Sequence, residues 1–374
     1  MTWVFWLCAV CAVYSYLLYP LLLWALVPRR VPGQLVDGYA PRVSIVIACR
    51  NEQKRLRAKI LNTLATRYPD REVLVASDAS DDDSDAITRE FEAQGVRLVR
   101  SPERRGKEHA QQLAIAAATG EIIVFTDAGT DLLPESIDEI VGSFRDPGIG
   151  AVSSEDRFVS ADGGVVGEGA YVRYEMWLRQ LESQRRGLVG LSGSFFAVRR
   201  AVVTGWDASI PSDFASALMT VRHGLVAIAN PRVQGIYKDV SDSRAEYGRK
   251  VRTAIRGMSA VLKLGSVLNP FRYGLFSFQV WGHKVMRWLV PWFLLGLYVS
   301  SWLLADQGTI YRVALWLQNA AYLAVICAHL VPRLRAFAPL RIGYYFVQVN
   351  VALASAAVQL AAGKRIVVWN PSAR

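Results

Sequence analysis

The 374-residue chain is 52% hydrophobic and 20% charged, with a formal net charge of +11. It is long enough for two domains, or for one domain plus membrane segments, and basic enough to suit a nucleotide phosphate, a nucleic acid or an anionic membrane face. Its four cysteines exclude a zinc module and a disulfide framework. Cys8 and Cys11 form a C-x-x-C inside an apolar run with no second pair at ligand spacing, and Cys49 and Cys327 read as packed thiols.

Residues 3–27 carry no charge and exceed the ~20 residues that span a bilayer. With no basic leader and no small-residue cleavage site, the segment reads as a retained anchor over residues 1–28, not a signal peptide. Arg29 and Arg30 follow at once, which puts that end in the cytoplasm by the positive-inside rule.

Residues 40–265 read as alternating strands and helices. VSIVIAC (43–49), EVLVAS (72–77), VRLVRS (96–101) and EIIVFTD (121–127) are short apolar runs. Helical stretches follow the first two, and RRGKEHAQQLAIAAATG leads into the fourth. This alternation predicts an α/β fold with a doubly wound, mostly parallel sheet, whose ligands bind at the carboxyl ends of the strands. Each such end carries a polar cluster: Asn51 and Glu52, then Asp78, Arg104 to Lys107, and Asp127 with Asp131. No G-x-G-x-x-G follows the first strand, and Gly106-Lys107 lacks the rest of a P-loop, so dinucleotide and triphosphatase folds are disfavoured. Asp78 suits a base or ribose, Lys107 a phosphate, and Asp127 a Mg²⁺ or Mn²⁺ ion neutralising a diphosphate. Singly, each also fits a structural role, such as a helix cap for Asp78 or a surface cation for Lys107. Together they point to a diphosphate-sugar donor.

Residues 266–287 mix aromatics with Arg272, His283 and Lys284, the pattern of an amphipathic helix lying on a membrane. Three apolar stretches follow, 288–305, 313–331 and 342–362, with Trp and Tyr near their ends. Gln348, Asn350 and Gln359 in the last favour an interfacial or re-entrant path, which keeps the tail at 363–374 in the cytoplasm.

These blocks resemble membrane-bound family 2 glycosyltransferases of the GT-A fold, the group that includes cellulose, chitin and hyaluronan synthases. "VSIVIACRNEQKRL" resembles the opening strand and N-E loop of that family, and "VLVASDASDDDSDAI" its S-D-x-S-x-D loop. "RRGKEHAQQLAIAAATGEIIVFTDAGT" resembles the G-K-x-x-A-L-N helix and D-x-D strand. "VGLSGSFFAVRRAV" resembles the segment lining the acceptor side, and "IPSDFASALMTVRHGLVAIANP" the E-D segment. The resemblance implies that Asp78, with Asn51 and Glu52, contacts the nucleoside, and that Asp127 acts with the metal on the donor diphosphate. It gives Asp213 the role of general base in one in-line, inverting displacement. Arg252 becomes a phosphate-binding arginine, with Gly193, Ser194 and Arg249 on the acceptor side. The partners implied are a nucleotide-sugar, most readily a UDP-sugar, a lipid-linked or saccharide acceptor, and membrane lipids, with no nucleic acid.

Three departures stand out. The D-x-D is here Asp127-Ala128-Gly129, with Asp131 two residues late. The acid pair is Ser212-Asp213. The Q-x-x-R-W of processive synthases is replaced by Arg249-Lys250-Val251-Arg252-Thr253. Loss of the tryptophan that stacks on the acceptor favours a single-transfer enzyme over a processive synthase, although Tyr171, Tyr174 and Trp177 offer other rings. The C-terminal Trp369–Arg374 loosely resembles the W-x-x-R tail of hyaluronan synthases. A non-catalytic scaffold would have no need of Asp127 and Asp213. The expected place is the inner (plasma) membrane, multi-pass, with a cytoplasmic catalytic domain.

Overall fold

A computed structural model describes residues 1–159, 170–238 and 243–366. The chain forms two compact units. One is Met1–Leu26 with Asp242–Met258 and Phe278–Arg365; the other is Val27–Ser241 with Ser259–Ser277 and Ile366–Arg374. The resemblance drawn on Trp369 to Arg374 falls outside the described residues.

The second unit is built on an eight-stranded sheet. Its strands are β1 (Val43–Cys49), β2 (Arg71–Ser77), β3 (Val96–Arg100), β4 (Ile122–Asp127), β5 (Asp131–Leu132), β6 (Ile149–Val159), β7 (Phe195–Arg199) and β8 (Val226–Lys238). The order is β3-β2-β1-β4-β7-β6-β8-β5. The four strands read from the sequence form its parallel half, β3-β2-β1-β4. The far half is mixed: β7 is antiparallel to both β4 and β6, while β6 runs parallel to β8.

The central strands look uniformly apolar because helices cover both faces. On one face Val46, Leu74, Ile123, Phe125 and Phe196 pack with Ala110 and Ala114 of the helix Lys107–Ala117. On the other, Ile45, Val124 and Phe195 meet Ile137, Ile140 and Phe144 of the helix Ser136–Phe144. Beside them, Ile47, Val73 and Val75 meet Leu56 and Ile60 of the helix Leu56–Leu64. Register aligns the strand ends. Ala48 lies opposite Ala76 and Asp127, and Ser77 opposite Arg100, so every polar cluster named from the sequence emerges at one edge.

Among the described residues, three helices are long and apolar enough to cross a membrane by length and composition: Thr2–Leu26, Thr309–Leu330 and Ala338–Ala361. The expected span at 288–305 is a helix, Met286–Leu303, that falls short of that measure; Arg287 opens it and Pro291 interrupts its apolar run. The last segment, expected along the interface, belongs to an unbroken helix of 24 residues. Two polar atoms of this helix have partners within the first unit. Asn350 Nδ2 donates to Phe346 O at 2.8 Å, and Gln348 Oε1 accepts from Lys250 Nζ at 3.3 Å. Helices approach closely at glycines, as membrane packing favours. A Cβ on Gly282 would fall 2.1 Å from the Tyr19 ring, and one on Gly296 2.8 Å from Cys8 Sγ. The expected amphipathic helix at 266–287 is instead two pieces, Pro270–Tyr273 and Leu275–Val280, broken at Gly274 with φ 53°, and then a π-turn at Trp281–Val285.

Candidate functional site

The loop after β1 is fastened to the loop after β2. Asn51, at φ 54°, accepts from Asp81 N at 2.9 Å through Oδ1. Glu52 N donates to Ser84 Oγ at 2.9 Å, and Gln53 N to Asp82 Oδ2 at 3.0 Å. Burial raises the Asp82 carboxyl, but the hydrogen bonds from Ser84 and Gln53 outweigh it and hold the group below its usual value. The two loops therefore form one stiff wall at the sheet edge, with Asn51 and Glu52 on it.

Asp78 is 2% exposed. Its Oδ1 accepts from Arg105 N at 2.9 Å and Gly106 N at 3.0 Å. The carboxylate thus fixes the turn that starts the next helix. Gly106 sits at φ 103°, where a side chain would be strained. Its neighbour Lys107 is then delivered onto Asp127: Lys107 Nζ donates to Asp127 Oδ1 at 2.5 Å and to Gly193 O at 3.0 Å.

The segment Ser192-Gly193-Ser194 joins the two halves of the site. Ser194 O accepts from Asp127 N at 3.0 Å. A Cβ at Gly193 would lie 3.1 Å from Asp213 Oδ2, so a side chain there would crowd that carboxylate. Asp213 is the second residue of the helix Ser212–Arg222, whose first turn suits a carboxylate. Ser192 Oγ and Ser194 Oγ both donate to Asp156 Oδ1, at 2.5 and 3.1 Å. Asp127, Lys107, Gly193, Ser194 and Asp213 are thereby brought together. A phosphate-sized anion beside Lys107 and an acceptor hydroxyl beside Asp213 would be neighbours.

Asp131 opens the short edge strand β5, opposite Ile236, and is exposed. Beneath it lies a group that the sequence reading missed. Lys59, 1% exposed, donates from Nζ to Thr126 Oγ1 at 3.0 Å and to Thr130 O at 2.5 Å. Burial pushes its ammonium down to about 7, opposed by the carboxylates of Asp131 and Asp127. The signal was present: a lysine stands on the apolar stripe Leu56, Lys59, Ile60, Thr63. Asp156 and Ser192 were missed for another reason, since a lone acid on a strand carries no motif. Among the described residues no three His, Cys, Asp or Glu side chains gather as a metal cage. Arg249 and Arg252 lie on the helix Ser243–Lys263, in the part that belongs to the first unit; Arg249 is exposed and Arg252 half-buried.

Comparison with known proteins fits this geometry. The family described as glycosyl transferase family 2 matches residues 44–204. A poly-beta-1,6-N-acetyl-D-glucosamine synthase of Staphylococcus epidermidis is 23% identical over 185 residues, 47% of this chain and 44% of that one. The Staphylococcus aureus (strain COL) synthase of the same name is 24% identical over 176 residues, 45% and 42% of the two chains. The chain thus spans less than half the length of these curated relatives. In fold it is similar to a mannosyltransferase from Pyrobaculum calidifontis, solved in complex with GDP-Man and Mn²⁺. That likeness has a TM-score of 0.73 at 23% identity and covers 97% of this chain and 99% of that one. The domain at residues 44–204 thus matches glycosyl transferase family 2, and the chain shares the GT-A fold.

Proposed function

We propose that the chain is an inverting glycosyltransferase that moves a sugar from a nucleotide-diphosphate donor to a lipid-linked or saccharide acceptor at the cytoplasmic face of a membrane. The observation that carries the reading is the meeting of Lys107 and Asp127 with Asp213 across Ser192-Gly193-Ser194. Donor and acceptor groups stand on two sides of one short segment, as a single in-line displacement requires. Asp213 takes the proton from the acceptor hydroxyl as it attacks the anomeric carbon. Lys107 meets the departing diphosphate, and the wall of Asn51, Glu52 and the Asp78-anchored turn holds the nucleoside.

A divalent cation fits the donor set. Hard ions such as Mg²⁺ are held by one or two carboxylates and the substrate phosphates rather than by an all-protein cage, and Asp127 and Asp131 supply one or two. When bound, Mg²⁺ or Mn²⁺ neutralises charge on the leaving diphosphate. The reading agrees with the Mn²⁺ and GDP-Man held by the mannosyltransferase of similar fold. A second reading, a processive synthase that extrudes its polymer, is supported by the likeness to the staphylococcal synthases.

The test uses the full chain in lipid with Mn²⁺ and a panel of UDP- and GDP-sugars, following nucleotide release and product size. One added sugar that requires a lipid acceptor is the expected outcome, and a ladder of products selects the synthase. Failure of every donor would overturn both readings.

A further inference from the structure

An ammonium buried without solvent is costly, and an apolar residue would fill the same place on the helix without that cost. Lys59 is nevertheless 1% exposed, between Leu56 and Ile60 on the buried face of its helix. Its two bonds reach both ends of the acid turn, to Thr126 Oγ1 at 3.0 Å before Asp127 and to Thr130 O at 2.5 Å before Asp131. One helical turn on, Asn62 continues the clamp. Its Nδ2 donates to Leu132 O and its Oδ1 accepts from Leu132 N, each at 2.9 Å. Within the turn, Thr130 N donates to Asp127 O at 3.1 Å. A single helix therefore holds the whole segment from 126 to 132 from below, and its one buried charge sits under two carboxylates.

Gly129 leaves this turn without the second acid expected there, so a cation shared by Asp127 and Asp131 depends on the shape of the residues between them. Two carboxylates on one short turn also repel each other. We propose that Lys59 is a positioning residue: its ammonium fixes residues 126–131 and offsets the repulsion of their acids, so that Asp127 and Asp131 can hold one divalent cation. This rests on the metal-dependent reading of the site given above. Lys59 touches neither donor nor acceptor and acts through the turn alone.

The test is a Mn²⁺ titration followed by electron paramagnetic resonance, on the full chain in lipid, with UDP or GDP present. Lys59→Met keeps the length of the side chain and removes its charge and both bonds. Supporting groups of this kind change metal affinity by about 10–100-fold. The expected result is a loss of Mn²⁺ affinity in that range, with nucleotide binding in EDTA as in wild type. Thr126→Val removes one of the two acceptors and gives a smaller loss in the same direction, and it serves alone if Lys59→Met does not fold. Mn²⁺ affinity equal to wild type in the folded variants overturns the inference while leaving the reading of the site intact. A parallel loss of nucleotide binding in EDTA also overturns it, because Lys59 would then be supporting the unit as a whole. Failure of wild type to bind Mn²⁺ with either nucleotide overturns the metal reading itself, and the inference falls with it.

Discussion

At the residue scale the site turns on what is absent as much as on what is present. Gly193 has no Cβ, and the place where one would sit is 3.1 Å from Asp213 Oδ2. A methyl group there forces the carboxylate aside by a few tenths of an ångström. Misplacement of a reacting group costs rate steeply, up to about 100-fold per ångström. Gly193→Ala is therefore expected to lower turnover by about tenfold while leaving donor affinity and the thermal midpoint near wild type. Steady-state kinetics beside a nucleotide titration checks this, and unchanged turnover would remove Asp213 from the reacting position. Asp78 teaches a related lesson. Its acid was legible in the S-D-x-S-x-D block, but its partners, the Arg105 and Gly106 amides, were not, because they come from a loop 27 and 28 positions away. Lys59 was overlooked since surface helices carry lysines routinely, and only its place in the apolar stripe sets it apart.

At the scale of elements, the parallel half of the sheet was readable because each strand is a short apolar run ending in polar residues. The far half was not. β6 and β8 are long, irregular strands whose register shifts twice, and β5 is two residues long, so no periodicity marks them. The opposite, amino-terminal end of the strands is closed by Glu72 on β2. Its Oε1 accepts from Ser44 Oγ at 2.6 Å, Thr119 N at 2.5 Å and Thr119 Oγ1 at 2.7 Å, and Arg97 pairs with Oε2 at 3.0 Å. Burial pushes the carboxyl up, yet these bonds outweigh it and leave the group below its usual 4.5. A carboxylate depressed in the folded state adds stability above its unfolded pKa, and that stability is lost as pH falls through the folded value. The thermal midpoint of the wild type should hence fall as pH drops below about 4.5, the usual value for this group. In Glu72→Gln the midpoint should start lower at pH 7, by about 1–3 kcal/mol of stability, and vary less with acid. Parallel curves for the two proteins would show that Glu72 titrates as it does in the unfolded chain.

At the scale of the whole molecule, the chain pairs a GT-A unit with a helical unit containing three helices of membrane-crossing length and composition. Composition alone exposed the apolar stretches, and the folded unit adds detail to two of them. Pro291 and Arg287 leave the one at 288–305 short of that measure, while in the last Gln348 Oε1 accepts from Lys250 and Asn350 Nδ2 donates to Phe346 O. Side-chain satisfaction is a property of the folded unit and cannot be read from a window of sequence. The central claim concerns one carboxylate, and Asp213→Asn tests it most directly in a single-turnover assay with donor, acceptor and Mn²⁺, beside a nucleotide-binding titration. A general base acts on the acceptor hydroxyl and not on the nucleotide. The account predicts that transfer falls by about 100-fold or more with donor affinity unchanged. Transfer at the wild-type rate would contradict it.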